Sequence, residues 1–452
     1  MLFRTKIYQS ALALALVTSA GLLQTLPAQA ASQRSPHPVL ETYANIALDS
    51  YSNAEADAKK LQQRLSAFAK SPSAASFKAA KKAWLASRES YGQTEIFRLS
   101  NGPIDAEDGW VAEAYGALEG QINAWPLDEN MIDYTIDAEG HRTSGNIIDS
   151  TGLFNPGGED AQQVDATNIT VEVLAALNEN GGDANVASGY HAIEFLLWGQ
   201  DQDYADFRTD NITHGALVAG QRPLDDFTTD SYAKRRLAYL TVSADKLVDD
   251  LAIVNQAWGK QASSDCGKDG SGCYRAALLG QLTGKDANKN IASDTALKQI
   301  IAGMGVFIKS ELANERIAVA VLTPSEEDEH SCFSDNTHRD ISMNYRGFIN
   351  VLKAQYNDKK YGESFYGNAS AKTQKKIDTL ITAIDSKVSN MNALAQSKWH
   401  FDYQILQGNN ANEIRTMKND MRKLGNTMVM VAKDMGLSLT TDDVTDAEET
   451  QL

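Results

Sequence analysis

Gly189-Tyr190-His191-Ala192-Ile193-Glu194 reads GxHxxE and runs on into Phe195-Leu196-Leu197-Trp198-Gly199-Gln200-Asp201. The stretch has a helical pattern, so His191 and Glu194, three residues apart, share one face with Cβ atoms about 5 to 6 Å apart. An imidazole and a carboxylate that converge on one small object supply the nitrogen and oxygen donors taken up by zinc, iron and manganese. A hydrogen-bonded His–Glu pair has the same spacing, so a metal centre needs further groups. If the chain hydrolysed peptides, Glu194 would be either ligand or general base, but hardly both.

Two other constellations could supply those groups. Trp84, Arg88, Tyr91, Glu95 and Arg98 follow at intervals of four and three, which predicts one helical stripe alternating aromatic and charged side chains. It reads either as a solvated ion-pair ladder or as a polar groove with Glu95 as a further metal ligand, because a buried charge needs a partner. Asn101-Gly102-Pro103-Ile104-Asp105 then stops the helix, with Asp105 placed to cap the next. The run from Glu326 to Asp340 gathers His330, Cys332, Asp335 and His338 beside ordinary capping residues. There is no HExxH, GxSxG or P-loop, so the usual two-histidine zinc helix, serine nucleophile and phosphate cradle are missing.

Long stretches of 3.6-residue period, few strand signals and only nine prolines predict an all-α protein. Helices are expected near 39–70, 74–100, 106–122, 160–180, 187–199, 231–258, 289–322, 338–356, 370–397 and 412–436. The polar passage from Asp201 to Asp230 suggests a boundary between helical-bundle domains at 40–215 and 225–440, the first carrying GxHxxE. Their matching length and helix count suggest a duplicated four-helix bundle, although no residue-level repeat is visible. An acidic tail covers 441–452.

Residues 1–30 have the form of a secretory signal: Arg4 and Lys6, an apolar stretch from Ala11 to Leu26, then Ala28-Gln29-Ala30. Cleavage near Ala30 would leave a soluble periplasmic or envelope protein with no transmembrane segment. The net charge of -17, two units more negative once Arg4 and Lys6 are removed, disfavours nucleic acid and anionic membranes as partners. Cys266 and Cys273 bracket a flexible run that could close into a disulfide loop. Cys332 is then left over, as a buried thiol, a soft ligand or a redox thiol.

Taken together, GxHxxE, Trp84-Leu85-Ala86-Ser87-Arg88, Gln93-Thr94-Glu95-Ile96-Phe97-Arg98, Asn101-Gly102-Pro103-Ile104-Asp105 and the run from Asp328 to Asp340 resemble the imelysin-like family. This is the peptidase M75 or insulin-cleaving membrane protease-like family, and the likeness is to its iron-regulated, full-length branch. The resemblance implies two helical-bundle domains, export to the bacterial envelope and a link to iron, with Gly189, His191 and Glu194 matching the family's proposed metal-binding motif. It implies a metal ion as ligand, iron first and zinc as the alternative. The expected function is non-catalytic metal binding in iron uptake or homeostasis. A metallopeptidase and a scaffold docking an envelope redox or transport protein are the alternatives.

Overall fold

The first long helix, α1 (Pro38–Lys70), opens with Pro38 in its first turn and the His37 side chain accepting from the Val39 N–H at 3.3 Å. In the computed structural model residues 37–137, 139–201, 219–322 and 329–447 are described. The signal-like segment, most of the polar passage expected to hold the domain boundary, and Glu326, Glu327 and Asp328 lie outside them. Along α1, Leu40, Tyr43, Ala47, Tyr51, Ala54, Ala58, Leu61, Leu65 and Phe68 are buried at intervals of three and four. That stripe is what a bundle helix needs.

A Ser73–Ser76 capping box starts α2 (Ala74–Tyr91). Short helices α3 (Gly109–Tyr115), α4 (Glu119–Ile122), α5 (Glu129–Ile132) and α6 (Val171–Leu177) and a hairpin of β1 (Leu153–Phe154) with β2 (Val164–Asp165) precede α7 (Gly189–Trp198). After it come α8 (Ala233–Ala257), α9 (Cys273–Leu278) and α10 (Ser293–Val306). A π-helical segment, Phe307–Ala318, continues α10 into α11 (Val319–Leu322). The chain ends with α12 (Thr337–Lys353), the pair β3 (Gln355–Tyr356) and β4 (Lys359–Lys360), α13 (Phe365–Asn368), α14 (Ala371–Ser397), α15 (Phe401–Leu406) and α16 (Gly408–Asp434).

The protein is all-α, with strands among the described residues limited to these two-residue pairs. α1 packs against α2 and α8, and α7 closes that group; α10, the π segment, α12, α14 and α16 form a second. The chain from Pro36 on makes one compact unit, because α12 also touches α2 and the turn after it. α8 lies beyond the boundary suggested at 215–225, yet its partners are α1 and α7.

Three expected helices differ in extent. The one at 74–100 ends at Tyr91, and Glu95–Phe97 is a separate 3-10 turn. The one at 106–122 is broken by left-handed backbone at Gly116 and Ala117. The one at 160–180 is only α6, since residues 164–165 pair in the hairpin. In each case the local pattern is helical and tertiary contacts override it.

Cys266 and Cys273 are disulfide-bonded, and Cys332 is buried outside any disulfide. Replacing both bridged cysteines by serine should lower stability by about 2 to 3 kcal/mol in the chain-entropy model. Denaturation midpoints of the double variant and wild type, compared with and without reductant, check this: the difference should vanish in reductant.

Candidate metal centre

Gly189 explains itself once the backbone around it is in view. Its φ is +83°, and a Cβ there would lie 2.4 Å from the Ile122 carbonyl oxygen at the end of α4. Only glycine meets both conditions. Ser188 precedes it and donates to the Gln121 carbonyl at 2.8 Å, so α7 is pinned at its first residue. Every residue of α7 is buried.

Within that helix His191 Nδ1 and Glu194 Oε2 are 2.9 Å apart. The other carboxylate oxygen, Oε1, accepts from the Ser334 backbone N–H at 3.0 Å and from its hydroxyl at 2.6 Å. Burial, with His330 and Arg88 nearby, holds His191 well below the usual imidazole range, and burial pushes the Glu194 carboxyl up to about 8. The imidazole is therefore neutral and the pair is not an ion pair; Nε2 carries the free lone pair in the form in which Glu194 has given up its proton and Nδ1–H donates to Oε2. His191 Nε2 is buried and has no hydrogen-bond partner among the described residues.

A second imidazole stands beside the first. The rings of His191 and His330 are 4.6 Å apart, centre to centre, and nearly perpendicular, and Trp125 packs on both. His330 Nδ1 lies 2.9 Å from Asp340 Oδ2, which the Ser331 hydroxyl also approaches. Burial and Arg316 keep this imidazole neutral. Burial would raise Asp340, but Arg88 and His330 outweigh it and hold the carboxylate well below its ordinary value. His330 thus donates Nδ1–H to an ionised carboxylate. Each imidazole has its Nδ1 tied to a carboxyl group, the arrangement that orients a histidine toward a metal through its other nitrogen.

Around the histidines lies a buried ion network. Arg88 reaches Asp340 at 3.1 Å and Glu95 at 4.0 Å; Arg316 reaches Glu95 at 2.5 Å and Glu311 at 2.9 Å; Arg98 reaches Glu311 at 2.9 Å and Glu119 at 3.3 Å. The π winding makes the Glu311–Arg316 contact possible. Five residues along an α-helix lie about 140° apart around the axis, whereas a π-helix, with its i to i+5 hydrogen bonds, stacks them.

Part of this network opens into a cleft of about 300 Å³, lined by His330, Trp125, Arg98, Arg316 and the carboxylates Glu119, Glu179, Asp183, Glu311 and Glu315. Among the described residues no three or more His, Cys, Asp or Glu side chains converge at metal-ligand spacing. Two neutral imidazoles beside an acidic cleft are what the site offers.

The family model described as imelysin, peptidase M75, matches residues 47–428. This chain belongs to the imelysin family. It is 25% identical over 313 residues to the iron-regulated protein A of Synechococcus elongatus, covering 69% of this chain. The match spans 63% of the length of that curated relative. Its fold is shared with a crystal structure from Parabacteroides distasonis, provisionally designated an iron-regulated protein A precursor. The TM-score is 0.55 at 16% identity, over 89% of this chain and 97% of that one.

The residues singled out from this imelysin sequence divide by place. His191, Glu194, Arg88, Glu95 and His330 come together, and Arg98 lines the cleft. Glu95, expected as a further ligand, is instead saturated: besides the arginines it accepts from Asn344 at 2.9 Å and Asn123 at 3.4 Å. Trp84 and Tyr91 stay in the core, Trp84 donating to the Tyr190 carbonyl at 2.9 Å and Tyr91 packing on the Tyr190 ring. The single stripe does not exist, because the helix stops between Tyr91 and Glu95. Its end is enforced by α12: a Cβ on Gly92 would meet Met343 at 2.9 Å, and one on Gly347 would meet the Gln93 carbonyl at 2.6 Å.

Asp105 does not cap α3, whose N-cap is Asp108; it accepts the Leu99 N–H at 2.6 Å. His338 bonds to the Asp335 carbonyl at 3.1 Å, and both lie near His400 rather than His191. Cys332 joins the apolar core. Sequence reasoning missed Ser334, Trp125, Asn123, Asn344 and the role of Asp340. Ser334 looks like an ordinary cap, and Trp125 sits in what reads as a loop.

Two outcomes follow for the ion network. Arg88→Met strips a buried charge from Asp340 and Glu95, so it should destabilise the fold by about 3 to 5 kcal/mol, seen in urea unfolding. Burial opposes the ionised form of Glu311, yet Arg98 and Arg316 bring its carboxyl down to about 2. A depressed folded value means stability present above the ordinary value of 4.5 and lost as pH falls toward 2. Glu311→Gln should therefore flatten the acid limb of the stability curve by roughly 3 kcal/mol. An unchanged slope between wild type and variant would refute the assignment.

Proposed function

We propose that this imelysin-family protein is exported to the cell envelope and binds a metal ion, iron, without catalysis, in iron uptake or homeostasis. Membership of the family, the iron-regulated name of its relative and the signal-like N-terminal segment support this setting. The single observation that carries it is the pair of carboxyl-oriented imidazoles, with the buried Nε2 of His191 lacking a partner among the described residues. The two rings stand close enough for both to reach one small ion. The observed separation is 4.6 Å.

The donor chemistry fits. His191 and His330 would hold the ion, with water or cleft carboxylates in the remaining positions, since two imidazoles do not complete a shell. Nitrogen and oxygen donors suit iron, and zinc equally by type. Glu194 and Asp340 act one step back, fixing ring orientation and the protonated nitrogen.

The peptidase alternative needs a base free to take a proton from a metal-bound water. Both Glu194 oxygens are engaged, by His191 and Ser334, which counts against that role. No helix among the described residues is long and apolar enough to cross a membrane.

Metal analysis and titration of the purified chain test the proposal. Iron retained by wild type should be lost in His191→Ala and in His330→Ala. Glu194→Gln and Asp340→Asn should keep the stoichiometry but weaken affinity about 10- to 100-fold, as loss of a ligand's hydrogen-bond partner does. Equal metal content in wild type and His191→Ala would end the assignment, and metal-dependent cleavage of an unfolded peptide that Glu194→Gln abolishes would replace it with hydrolysis.

A further inference from the structure

The cleft outside the histidines has a charge pattern that selects the form in which a metal arrives. Five carboxylates and two guanidiniums line it. Both guanidiniums are already committed: Arg98 to Glu311 and Glu119, Arg316 to Glu95 and Glu311. An anionic ligand entering here meets no unpaired cation and a surplus of negative charge. A cation meets the reverse. The mouth carries Glu179 and Asp183, both exposed and without an ion pair among the described residues. A neighbouring hollow that shares Arg98, Glu119 and Glu179 adds Asp105, Glu107 and Asp108, so the acidic field extends outward from the mouth.

Glu179 is placed rather than trailing in solvent. It sits in left-handed backbone, φ +58°, and its carboxylate lies so close to Gly120 that a Cβ there would come within 2.6 Å of it. Burial and Asp183 raise its pKa, as they do for a carboxyl group beside another of like charge. At the inner end, Trp125 and His330 line the cleft and both pack against His191, whose buried Nε2 has no hydrogen-bond partner among the described residues. The acid-lined cleft and the orphaned nitrogen are independent features, and Trp125 and His330 are the side chains that stand between them.

We infer that the cleft admits the metal as an uncomplexed, hydrated divalent cation and rejects anionic metal chelates, with Glu179 and Asp183 capturing the ion at the mouth. This rests on the metal-binding assignment of His191 and His330. Low-dielectric walls lined by one sign of charge focus the field and raise the arrival rate of the opposite charge. Glu179 and Asp183 are steering groups, so their loss acts on association and not on the held state.

Anaerobic stopped-flow mixing with Fe²⁺ in chelator-free buffer, followed through tryptophan quenching with Trp125→Phe as the signal control, reads association and dissociation separately. In Glu179→Gln/Asp183→Asn the association rate should fall about fivefold or more at low ionic strength, converge on wild type in high salt, and leave dissociation unchanged. Ferric citrate at the same metal concentration should leave no iron on wild type after gel filtration. Loading from ferric citrate as complete as from Fe²⁺, or wild-type association in the double variant at low salt, overturns the inference while leaving the histidine site intact. Undiminished Fe²⁺ binding by His191→Ala removes the site itself, and the inference with it. The two replaced residues are exposed, and circular dichroism and the thermal midpoint, expected unchanged, confirm that the rates are those of a folded protein.

Discussion

The buried chain of charges Asp340–Arg88–Glu95–Arg316–Glu311–Arg98 is the constraint on which the rest of this structure depends. Removing so many ions from water is costly, and the cost is offset only when every partner stands in place. Arg88 comes from α2, Glu95 and Arg98 from the turn that follows it, Glu311 and Arg316 from the π segment, and Asp340 from α12. The network therefore cannot form within either helical group alone. It locks the two against each other, and the histidines sit on its edge.

That position determines their chemistry. Asp340 serves both the arginine network and His330, so the second imidazole is oriented by the same residue that joins the helical groups. His191 is oriented from its own helix by Glu194, and Glu194 is held in turn by Ser334 from across the interface. Nearby guanidiniums and burial keep both imidazoles neutral, which leaves each with a nitrogen lone pair. The arginines are neutralised by carboxylates and do not oppose an incoming cation as unpaired charges would.

Family membership and the site geometry bear on the proposed metal binding independently. The iron-regulated relative matches at 25% identity and the solved structure shares the fold at 16%. The chemistry comes from this chain's own atoms: two oriented imidazoles and an acidic approach.

By itself the sequence determined the all-α class, the long helices and the motif pair His191 and Glu194, because a 3.6-residue burial pattern and a three-residue spacing are local properties. It also carried the family resemblance and offered Cys266 and Cys273 as a candidate bridge. Tertiary structure decided the rest. The end of α2 at Tyr91 follows from the approach of α12 at Gly92 and Gln93, which no helical propensity records. The separation of His330 from His338, eight residues apart in one run, depends on a turn through left-handed Asp335. The π winding that stacks Glu311 on Arg316 looks like plain helix in the sequence. Ion networks and shared sites are made of residues far apart in the chain, and only packing chooses which of them meet.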